Sequence, residues 1–174
     1  GVRGTAHTQG QFQVNGRATK LRDFTTLTFD CYGTLIDWES GMFEALKPLT
    51  SRVQGTLTRD KVLEAHARQE SAQQAATPIM KYSELLAVVY KRLSEEWGVP
   101  ASWAECQAYG YSIKEWPAFA DSVDALVYLK QHYKLVILSN VDNASFVHSN
   151  RRLGVEFDAI STAQDVGPYK PSER

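Results

Sequence analysis

FDCYGTLIDWE, residues 29–39, is the stretch that decides the fold of this sequence and raises the question of its function. Leu27 and Phe29 belong to a short apolar run that predicts a strand, and Gly33 breaks that strand. Asp30 therefore directly follows a strand, at the end of the sheet where open α/β proteins bind ligands. An acidic residue in such a place more often caps a helix or forms a turn, so its chemistry depends on what other strand ends supply.

Two later segments supply such strand ends. KLVILSN contains four consecutive apolar residues, 135–138, and runs into Ser139 and Asn140. An apolar run between helical patterns predicts a parallel strand that is covered on both faces. A weaker strand, FDAIS, follows, and Lys170 comes after it in the segment YKP. The order of elements predicts an α/β fold with right-handed crossovers, in which a carboxylate, a hydroxyl with an amide, and an amine reach one edge of the sheet.

A long helical segment separates the first strand from the others. Its clearest part begins near Tyr82, where apolar residues recur every four positions on one helix face: Leu85, Val89, Leu93 and Trp97. We predict a discontinuous α/β core from residues 21–38 and 116–174, with a helical cap over residues 39–115. Residues 1–20 are rich in Gly, Thr, Gln and Asn and are predicted to be a disordered tail.

The bulk properties exclude several classes of protein. A length of 174 residues fits one domain, or one domain with an insertion. A net charge of −1 without a basic stripe predicts no nucleic-acid partner, and no apolar run approaches the length of about 18 residues that a membrane span needs. Cys31 and Cys106 are far apart and outside any metal-ligand spacing, which favours a reducing, cytoplasmic location.

FDCYGTLID, VILSN and YKP, in this order and separated by a helical insertion, resemble the motifs of the haloacid dehalogenase (HAD) superfamily. Within it they resemble the L-2-haloacid dehalogenase branch, the type II 2-haloacid dehalogenases. The resemblance covers the chain from residue 23 onward. It implies a HAD-like Rossmannoid parallel sheet with an inserted helical cap. It also implies a hydrolase that acts on a small 2-haloacid and needs neither a metal nor an organic cofactor.

Tyr32 distinguishes between branches of this superfamily on physical grounds. Phosphatases of the superfamily carry a D-x-D pair, whose second Asp protonates a departing alkoxide and whose first Asp shares Mg²⁺ with the phosphate. A halide is the conjugate base of a strong acid, so it leaves without a proton. Tyr32 in place of the second Asp therefore favours displacement of halide from an sp³ carbon.

The resemblance implies a role for each residue at the strand ends. Asp30 attacks C2 of the substrate from the face opposite the halogen and forms an ester. Thr34 orients the nucleophile loop. Ser139 and Lys170 hold the carboxylates of the substrate and of Asp30, and the nearby amine keeps Asp30 ionised.

Three further residues are expected to contact the substrate or the halide. The resemblance implies that Asn140 faces the departing halide and that Tyr32 lines the apolar pocket. Members of the family also receive the halide on an Arg of the cap, for which Arg68 in HARQES is the best match. An Arg on an exposed helix is more often only solvated.

The sequence ends four residues after Lys170, whereas members of the family continue with another helix, a fourth strand and a Ser-x-Asn-x-x-Asp loop. We therefore expect a shortened version of a longer enzyme, with a core that is incomplete at the C-terminus. Pairing of two copies along the exposed first strand is one expected consequence, which would give a homodimer.

Two alternatives to dehalogenation stay open. A HAD-type phosphatase would share the fold and the nucleophile, although Tyr32 disfavours it. A truncated, non-catalytic relative that only binds its ligand is suggested by the missing last motif. Halide release in the presence of a chelator, and mass added to Asp30, discriminate among the three functions.

Overall fold

The structure of the protein, a computed structural model, describes residues 13–14, 17–18 and 20–166. Its strands are β1 (Gln13–Val14), β2 (Arg17–Ala18), β3 (Thr26–Phe29), β4 (Lys134–Ser139) and β5 (Ala159–Thr162). Its α-helices are α1 (Trp38–Thr50), α2 (Arg59–Ala76), α3 (Tyr82–Glu96), α4 (Trp103–Tyr111), α5 (Ser122–Lys130), α6 (Asn143–Leu153) and α7 (Ala163–Val166). Short 3₁₀ helices span Leu21–Asp23 and Ser112–Glu115. The predicted α/β class is confirmed.

β3, β4 and β5 form a parallel sheet in which β4 lies between the other two strands. In the register of the sheet, Phe29 lies beside Ile137. Because the three strands run in the same direction, their carboxyl ends lie at one edge of the sheet. That edge carries Asp30 directly after β3 and Ser139 with Asn140 at the end of β4. The topology therefore places the predicted nucleophile beside the predicted hydroxyl and amide.

The hydrophobic core lies on one face of this sheet. Leu135 and Ile137 of β4 are fully buried, and Leu27 and Phe29 of β3 pack against the same core. Leu138, which points to the other face, is 37% exposed. The prediction that β4 is covered on both faces is therefore wrong for the residues that the structure describes. Burial alternates along the strand, as it does where only one face of a sheet is packed.

The helices between β3 and α5 pack against one another. α3 buries the face that its four-residue repeat predicts, including Leu85, Val89 and Leu93. Gly110 of α4 lies against the backbone of α3, where a Cβ atom would come within 2.2 Å of the carbonyl oxygen of Ser83. Among the described residues, no helix combines the length and the apolar character needed to cross a bilayer. The helical character of residues 39–115 is as expected, while the division into core and cap stays a prediction.

Two short strands lie in the segment before β3, within residues 1–20, whose disorder stays a prediction. Gln13 pairs with Ala18, and Val14 pairs with Arg17, in an antiparallel ladder. The sequence between the two strands is Asn-Gly, a dipeptide typical of hairpins. The other positions of the predicted tail, apart from Lys20, lie outside the described residues, and so does Lys170.

Candidate active site

The chain makes a tight turn directly after Asp30. The carbonyl oxygen of Cys31 accepts a hydrogen bond from the backbone N–H of Leu35, at 2.7 Å. Gly33 has a φ of +91°, and a Cβ atom there would lie 3.0 Å from Nε1 of Trp38. A side chain at this position would be strained by the backbone conformation and crowded by the indole, so the turn requires the glycine of the motif. The turn fixes Asp30 at the rim of the sheet while Cys31 is fully buried.

A cavity of about 260 Å³ opens at this edge of the sheet. Its lining comes from both the sheet and the helices and consists of Asp30, Tyr32, Trp38, Glu70, Gln74, Tyr82, Ser139, Asn140 and Val141. Asp30, Tyr32, Ser139 and Asn140 are site residues predicted from the sequence. The structure brings these four together because β3 and β4 are neighbours in a parallel sheet.

Hydrogen bonds hold the sheet side of the cavity. Thr34 donates a long hydrogen bond from Oγ1 to Oδ2 of Asp30, at 3.5 Å. Ser139 is 2% exposed, and its Oγ accepts a hydrogen bond from the backbone N–H of Val141, at 3.4 Å. Both hydroxyl groups therefore stand where they can orient charged groups at the rim. The predicted roles of Thr34 and Ser139 agree with these positions and stay predictions.

The loop that carries Asn140 is anchored by Asp142, a buried carboxylate. Asp142 is the N-cap of α6, where one carboxylate oxygen accepts a hydrogen bond from the backbone N–H of Ser145 at 2.9 Å. The other oxygen accepts a hydrogen bond from the backbone N–H of Ser83, in the first turn of α3, at 3.2 Å. One side chain thus ties the end of β4 to the helices that form the rest of the cavity.

Tyr32 occupies the position of the second carboxylate of a D-x-D pair. Its hydroxyl lies 2.7 Å from Oγ of Ser149 in α6, and its ring packs edge-on against Trp116 with the ring centroids 5.9 Å apart. Burial raises the pKa of the Tyr32 phenol above its ordinary value, and the neighbouring Cys31 contributes to the rise. The phenol is therefore neutral near pH 7 and is a poorer proton donor than a carboxylic acid.

The helical side of the cavity consists of residues that the sequence analysis missed. Glu70 and Gln74 belong to α2, Tyr82 to α3 and Trp38 to α1. The hydroxyl of Tyr82 donates a hydrogen bond to Oε1 of Glu70 at 2.6 Å, and Nε2 of Gln74 donates to the same oxygen at 3.2 Å. The spacing of His66, Glu70 and Gln74, each four residues after the last, places all three on one helix face and was the available sequence signal.

A buried polar chain continues from Glu70 into the helices. Nδ1 of His66 lies 3.4 Å from Oε2 of Glu70, and Nε2 of His66 lies 2.7 Å from the hydroxyl oxygen of Tyr109. Burial lowers the pKa of His66 to about 4, so its imidazole is neutral near pH 7. Burial also raises the pKa of Glu70, and the hydrogen bond from Tyr82 opposes that rise. The Glu70 carboxyl is thus protonated more readily than a carboxyl in water.

Arg68 does not line the cavity. Its Nη2 lies 2.5 Å from Oε1 of Glu96 in α3, and Gln69 donates a hydrogen bond to the other oxygen of Glu96 at 2.7 Å. Arg68 precedes Glu70 by two positions, which is a rotation of about 200° around a helix, so it lies on a different face of α2. The structure therefore does not bring Arg68 to the predicted halide site. Lys170 lies outside the described residues.

The arrangement places a carboxylate beside neutral hydrogen-bond donors. Asp30 is the carboxylate, and Ser139 and Asn140 supply a hydroxyl and an amide. A carboxylate in this setting can attack an electrophilic centre and form a covalent intermediate. In residues 20–166 and the short strands before them, no three His, Cys, Asp or Glu side chains are grouped so that they could hold a metal ion.

The fold has counterparts among solved structures. The L-2-haloacid dehalogenase PA0810 matches with a TM-score of 0.69 and 25% sequence identity, over 84% of this chain and 65% of that one. The L-2-haloacid dehalogenase from Xanthobacter autotrophicus matches with a TM-score of 0.70 and 16% identity, over 84% and 60%. The second enzyme has also been solved with chloropropionic acid covalently bound. The HAD-hydrolase YfnB from Bacillus subtilis, bound to magnesium, matches with a TM-score of 0.67 and 22% identity, over 86% and 69%.

These likenesses confirm the predicted HAD fold and the predicted resemblance to the haloacid dehalogenase branch of that superfamily. The chain spans less than two thirds of the length of the two dehalogenases described above. No model of a protein family matches the sequence, and no curated protein matches it significantly. The family resemblance therefore rests on the motifs and on the three-dimensional structure together.

Proposed function

We propose that this chain, whose fold is that of the haloacid dehalogenase superfamily, hydrolyses the carbon–halogen bond of short 2-haloalkanoic acids. The observation that carries the proposal is a carboxylate at the cavity, Asp30, followed two residues later by the hydrogen-bonded phenol of Tyr32. A leaving group that needs a proton would find no carboxylic acid at position 32. A halide needs no proton, so this pair of residues is suited to its displacement.

The reaction begins with displacement at carbon. An oxygen of the Asp30 carboxylate attacks C2 of the haloacid, the carbon–halogen bond breaks, and the halide leaves with the bonding electron pair. Attack from the side opposite the halogen inverts C2 and joins it to Asp30 through an ester. Ser139 and Asn140 line the cavity and would donate hydrogen bonds to the substrate carboxylate and the departing halide. By resemblance to the family, Lys170 would supply the positive charge that offsets the substrate carboxylate.

The reaction ends with hydrolysis of the ester. Water attacks the carbonyl carbon of the Asp30 side chain, and the 2-hydroxy acid is released as the carboxylate is regenerated. The covalent adduct of chloropropionic acid in the Xanthobacter enzyme supports a covalent route within the same fold. Neither half of the reaction draws on an oxidant or a reductant.

Halide release is the direct test of this proposal. The protein is incubated with 2-chloropropionate or chloroacetate in the presence of a chelator, and halide is measured by ion chromatography beside the 2-hydroxy acid. Formation of both products supports dehalogenation. Hydrolysis of a phosphate ester on addition of Mg²⁺, without halide release, would favour the phosphatase alternative. The structural similarity to YfnB, which was solved with magnesium bound, is the reason to test that alternative. Stoichiometric binding without either reaction would favour a non-catalytic relative.

Two expectations about the setting accompany the proposal. Cys31 and Cys106 are both buried and lie far apart in sequence, in keeping with the reducing, cytoplasmic location that we propose. A homodimer that pairs two copies of β3 also stays a proposal. Sedimentation of the protein as a strictly monomeric species would contradict the homodimer.

A further inference from the structure

Glu70 is a second carboxyl group in the cavity of Asp30, and the chemistry above gives it no role. Glu70 comes from α2, whereas Asp30 comes from the edge of the sheet. We infer that Glu70 is the general base that takes a proton from the water that hydrolyses the Asp30 ester. The inference rests on the proposed function, and it identifies a further catalytic residue for the second half of the reaction.

The carboxyl group of Glu70 is held in place by its neighbours. Oε1 accepts hydrogen bonds from the hydroxyl of Tyr82 and from Nε2 of Gln74, at 2.6 and 3.2 Å. Oε2 faces Nδ1 of His66 at 3.4 Å. The Glu70 side chain is 17% exposed and Glu70 lines the cavity, so water in the cavity can reach the carboxyl group. Because these contacts already orient the carboxyl group, it loses little further conformational freedom when it acts as a base in the transition state.

The proposed step balances without a further reactant. Glu70 takes a proton from water as the water oxygen forms a bond to the ester carbonyl carbon of Asp30. The tetrahedral intermediate collapses when the bond from this carbon to the substrate oxygen breaks, and the leaving alkoxide takes the proton from Glu70. The Asp30 carboxyl then loses its own proton to solvent. Both carboxylates are thereby restored.

Because Glu70 and Asp30 line one cavity, we expect the charge of Glu70 to respond to the state of Asp30. Two carboxyl groups share the cavity of the free protein, and a bound haloacid adds another negative charge, which favours protonated Glu70. Formation of the ester neutralises Asp30, so the carboxylate of Glu70 becomes easier to form when a base is needed. The titratable groups around Glu70 are His66 from α2, Tyr82 from α3, Tyr109 from α4, and Asp30 and Tyr32 from the loop after β3. His66 is neutral near pH 7 and adds no charge.

Glu70→Gln tests the inference, because the amide keeps the size of the side chain and an acceptor for Tyr82 but cannot act as the base. The full chain is mixed rapidly with 2-chloropropionate, and halide and intact mass are followed together. We expect a burst of about one halide per protein, then turnover that is about 10²- to 10⁴-fold slower than that of the wild type. The ester should accumulate on Asp30 and be found there by peptide mapping. Glu64→Gln, at an exposed position of the same helix, is the matched control and should turn over like the wild type.

The possible outcomes separate this inference from the proposed function. Turnover by Glu70→Gln at the rate of Glu64→Gln overturns the inference and leaves the dehalogenase proposal intact. An equal loss of the halide burst and of turnover, without ester, would mean that Glu70 acts in binding or folding, and this also overturns the inference. A wild type that yields neither halide nor ester removes the proposed function and the inference with it.

A second variant keeps the inference testable if Glu70→Gln does not fold. Tyr82→Phe removes a hydrogen bond that stabilises the charged form of Glu70, so the pKa of Glu70 should rise further. Decay of the isolated ester is measured against pH in this variant and in the wild type. The rate of ester decay falls at low pH, where Glu70 is protonated, and this fall (the acid limb) should lie at higher pH in Tyr82→Phe than in the wild type. An unchanged acid limb in a folded variant overturns the inference, because a purely structural role would leave it in place.

Discussion

The hydroxyl of Tyr32 lies 2.7 Å from the hydroxyl oxygen of Ser149, so the residue two places after Asp30 is bound to α6. The position that holds a proton-donating acid in a D-x-D site is here part of the packing between a loop and a helix. Edge-on contact of the Tyr32 ring with Trp116 adds to this anchoring. The contact between Tyr32 and Ser149 is therefore structural. Whether the Tyr32 phenol also donates a proton can be tested directly.

Tyr32→Phe removes the phenolic hydroxyl and keeps the ring. We expect the rate of halide release to change by less than about tenfold, because proton donation is worth about 10²- to 10⁴-fold where a reaction needs it. The free energy of unfolding should fall by about 1 kcal/mol, because Ser149 loses its partner. Steady-state halide release and urea denaturation measure the two effects. Tyr128→Phe, at a position that is 62% exposed, is the control. A folded Tyr32→Phe protein that lost halide release by 10²-fold or more, about the worth of a proton donor, would show that the phenol supplies a proton.

Asp30→Asn removes the proposed nucleophile without changing the size of the side chain. Loss of a covalent nucleophile should lower halide release by at least about 10³-fold, and no mass should be added to the protein by 2-chloropropionate. Ion chromatography and intact mass spectrometry check this outcome. Asp60→Asn, at an exposed position in the first turn of α2, should behave like the wild type. An ester that formed on another residue in Asp30→Asn would contradict the assignment.

Arg68→Ala tests the residue that the family resemblance pointed to for halide binding. Because Arg68 pairs with Glu96 on another face of α2, we expect kcat and KM for 2-chloropropionate to stay within about twofold of the wild type, the change expected for a group that does not bind substrate. The exposed ion pair contributes at most about 1 kcal/mol to stability. Steady-state kinetics and thermal unfolding provide the measurements. A large rise in KM for the haloacid would return Arg68 to the site.

His66→Gln tests the burial of a neutral imidazole. The pKa of His66 is about 4 in the folded protein against an ordinary value of 6.5, so between these values the unfolded chain binds a proton that the folded chain does not. The contribution of His66 to the free energy of unfolding should therefore become more favourable as the pH is raised from about 4 to 6.5. This stability is lost again as the pH is lowered through the same range. The pH-dependent contribution of His66 to the free energy of unfolding amounts to about 3 kcal/mol.

The comparison with the variant isolates the contribution of His66. The difference in the free energy of unfolding between the wild type and His66→Gln should shrink as the pH is lowered from 6.5 towards 4. The raised pKa of Glu70 acts with the opposite sign, since the folded state binds that proton more tightly, but it is present in both proteins and cancels to first order. Urea denaturation at several pH values measures the difference. A difference that does not vary with pH would show that the imidazole titrates normally.

Gly110→Ala tests the close packing of α4 on α3. A Cβ atom at this position would lie 2.2 Å from the carbonyl oxygen of Ser83, and a helix backbone cannot shift easily to relieve the contact. We expect the free energy of unfolding to fall by about 1–3 kcal/mol or more, as overpacking does. Gly98→Ala is the comparison, because its Cβ meets nothing within 4 Å and its cost comes only from the positive φ of 66°. Urea denaturation should find Gly110→Ala the more destabilised, and the reverse order would contradict the packing argument.

Local sequence signals predicted the ends of several helices. Thr58 caps α2 by accepting a hydrogen bond from the backbone N–H of Lys61 at 3.4 Å. Ser102 and Glu105 have the Ser-x-x-Glu spacing that is typical of a capping box, and they form one at the start of α4. These features depend on residues three positions apart, so the sequence contains all that is needed to place them. A proline ordinarily interrupts or kinks a helix, yet α1 continues through Pro48 to Thr50, because the apolar residues around the proline are packed in the core.

The sequence by itself determined the sheet side of the candidate site. Asp30 and Ser139 follow apolar runs, and in a parallel sheet such strand ends meet at one edge whatever the loops do. Only the tertiary structure decided the helical side, where Glu70 lines the cavity and Arg68 pairs with Glu96. α2 has few apolar residues to indicate its inward face, so its orientation depends on how it packs against α3. Contacts between segments distant in sequence determine this packing, so local sequence patterns could not predict it.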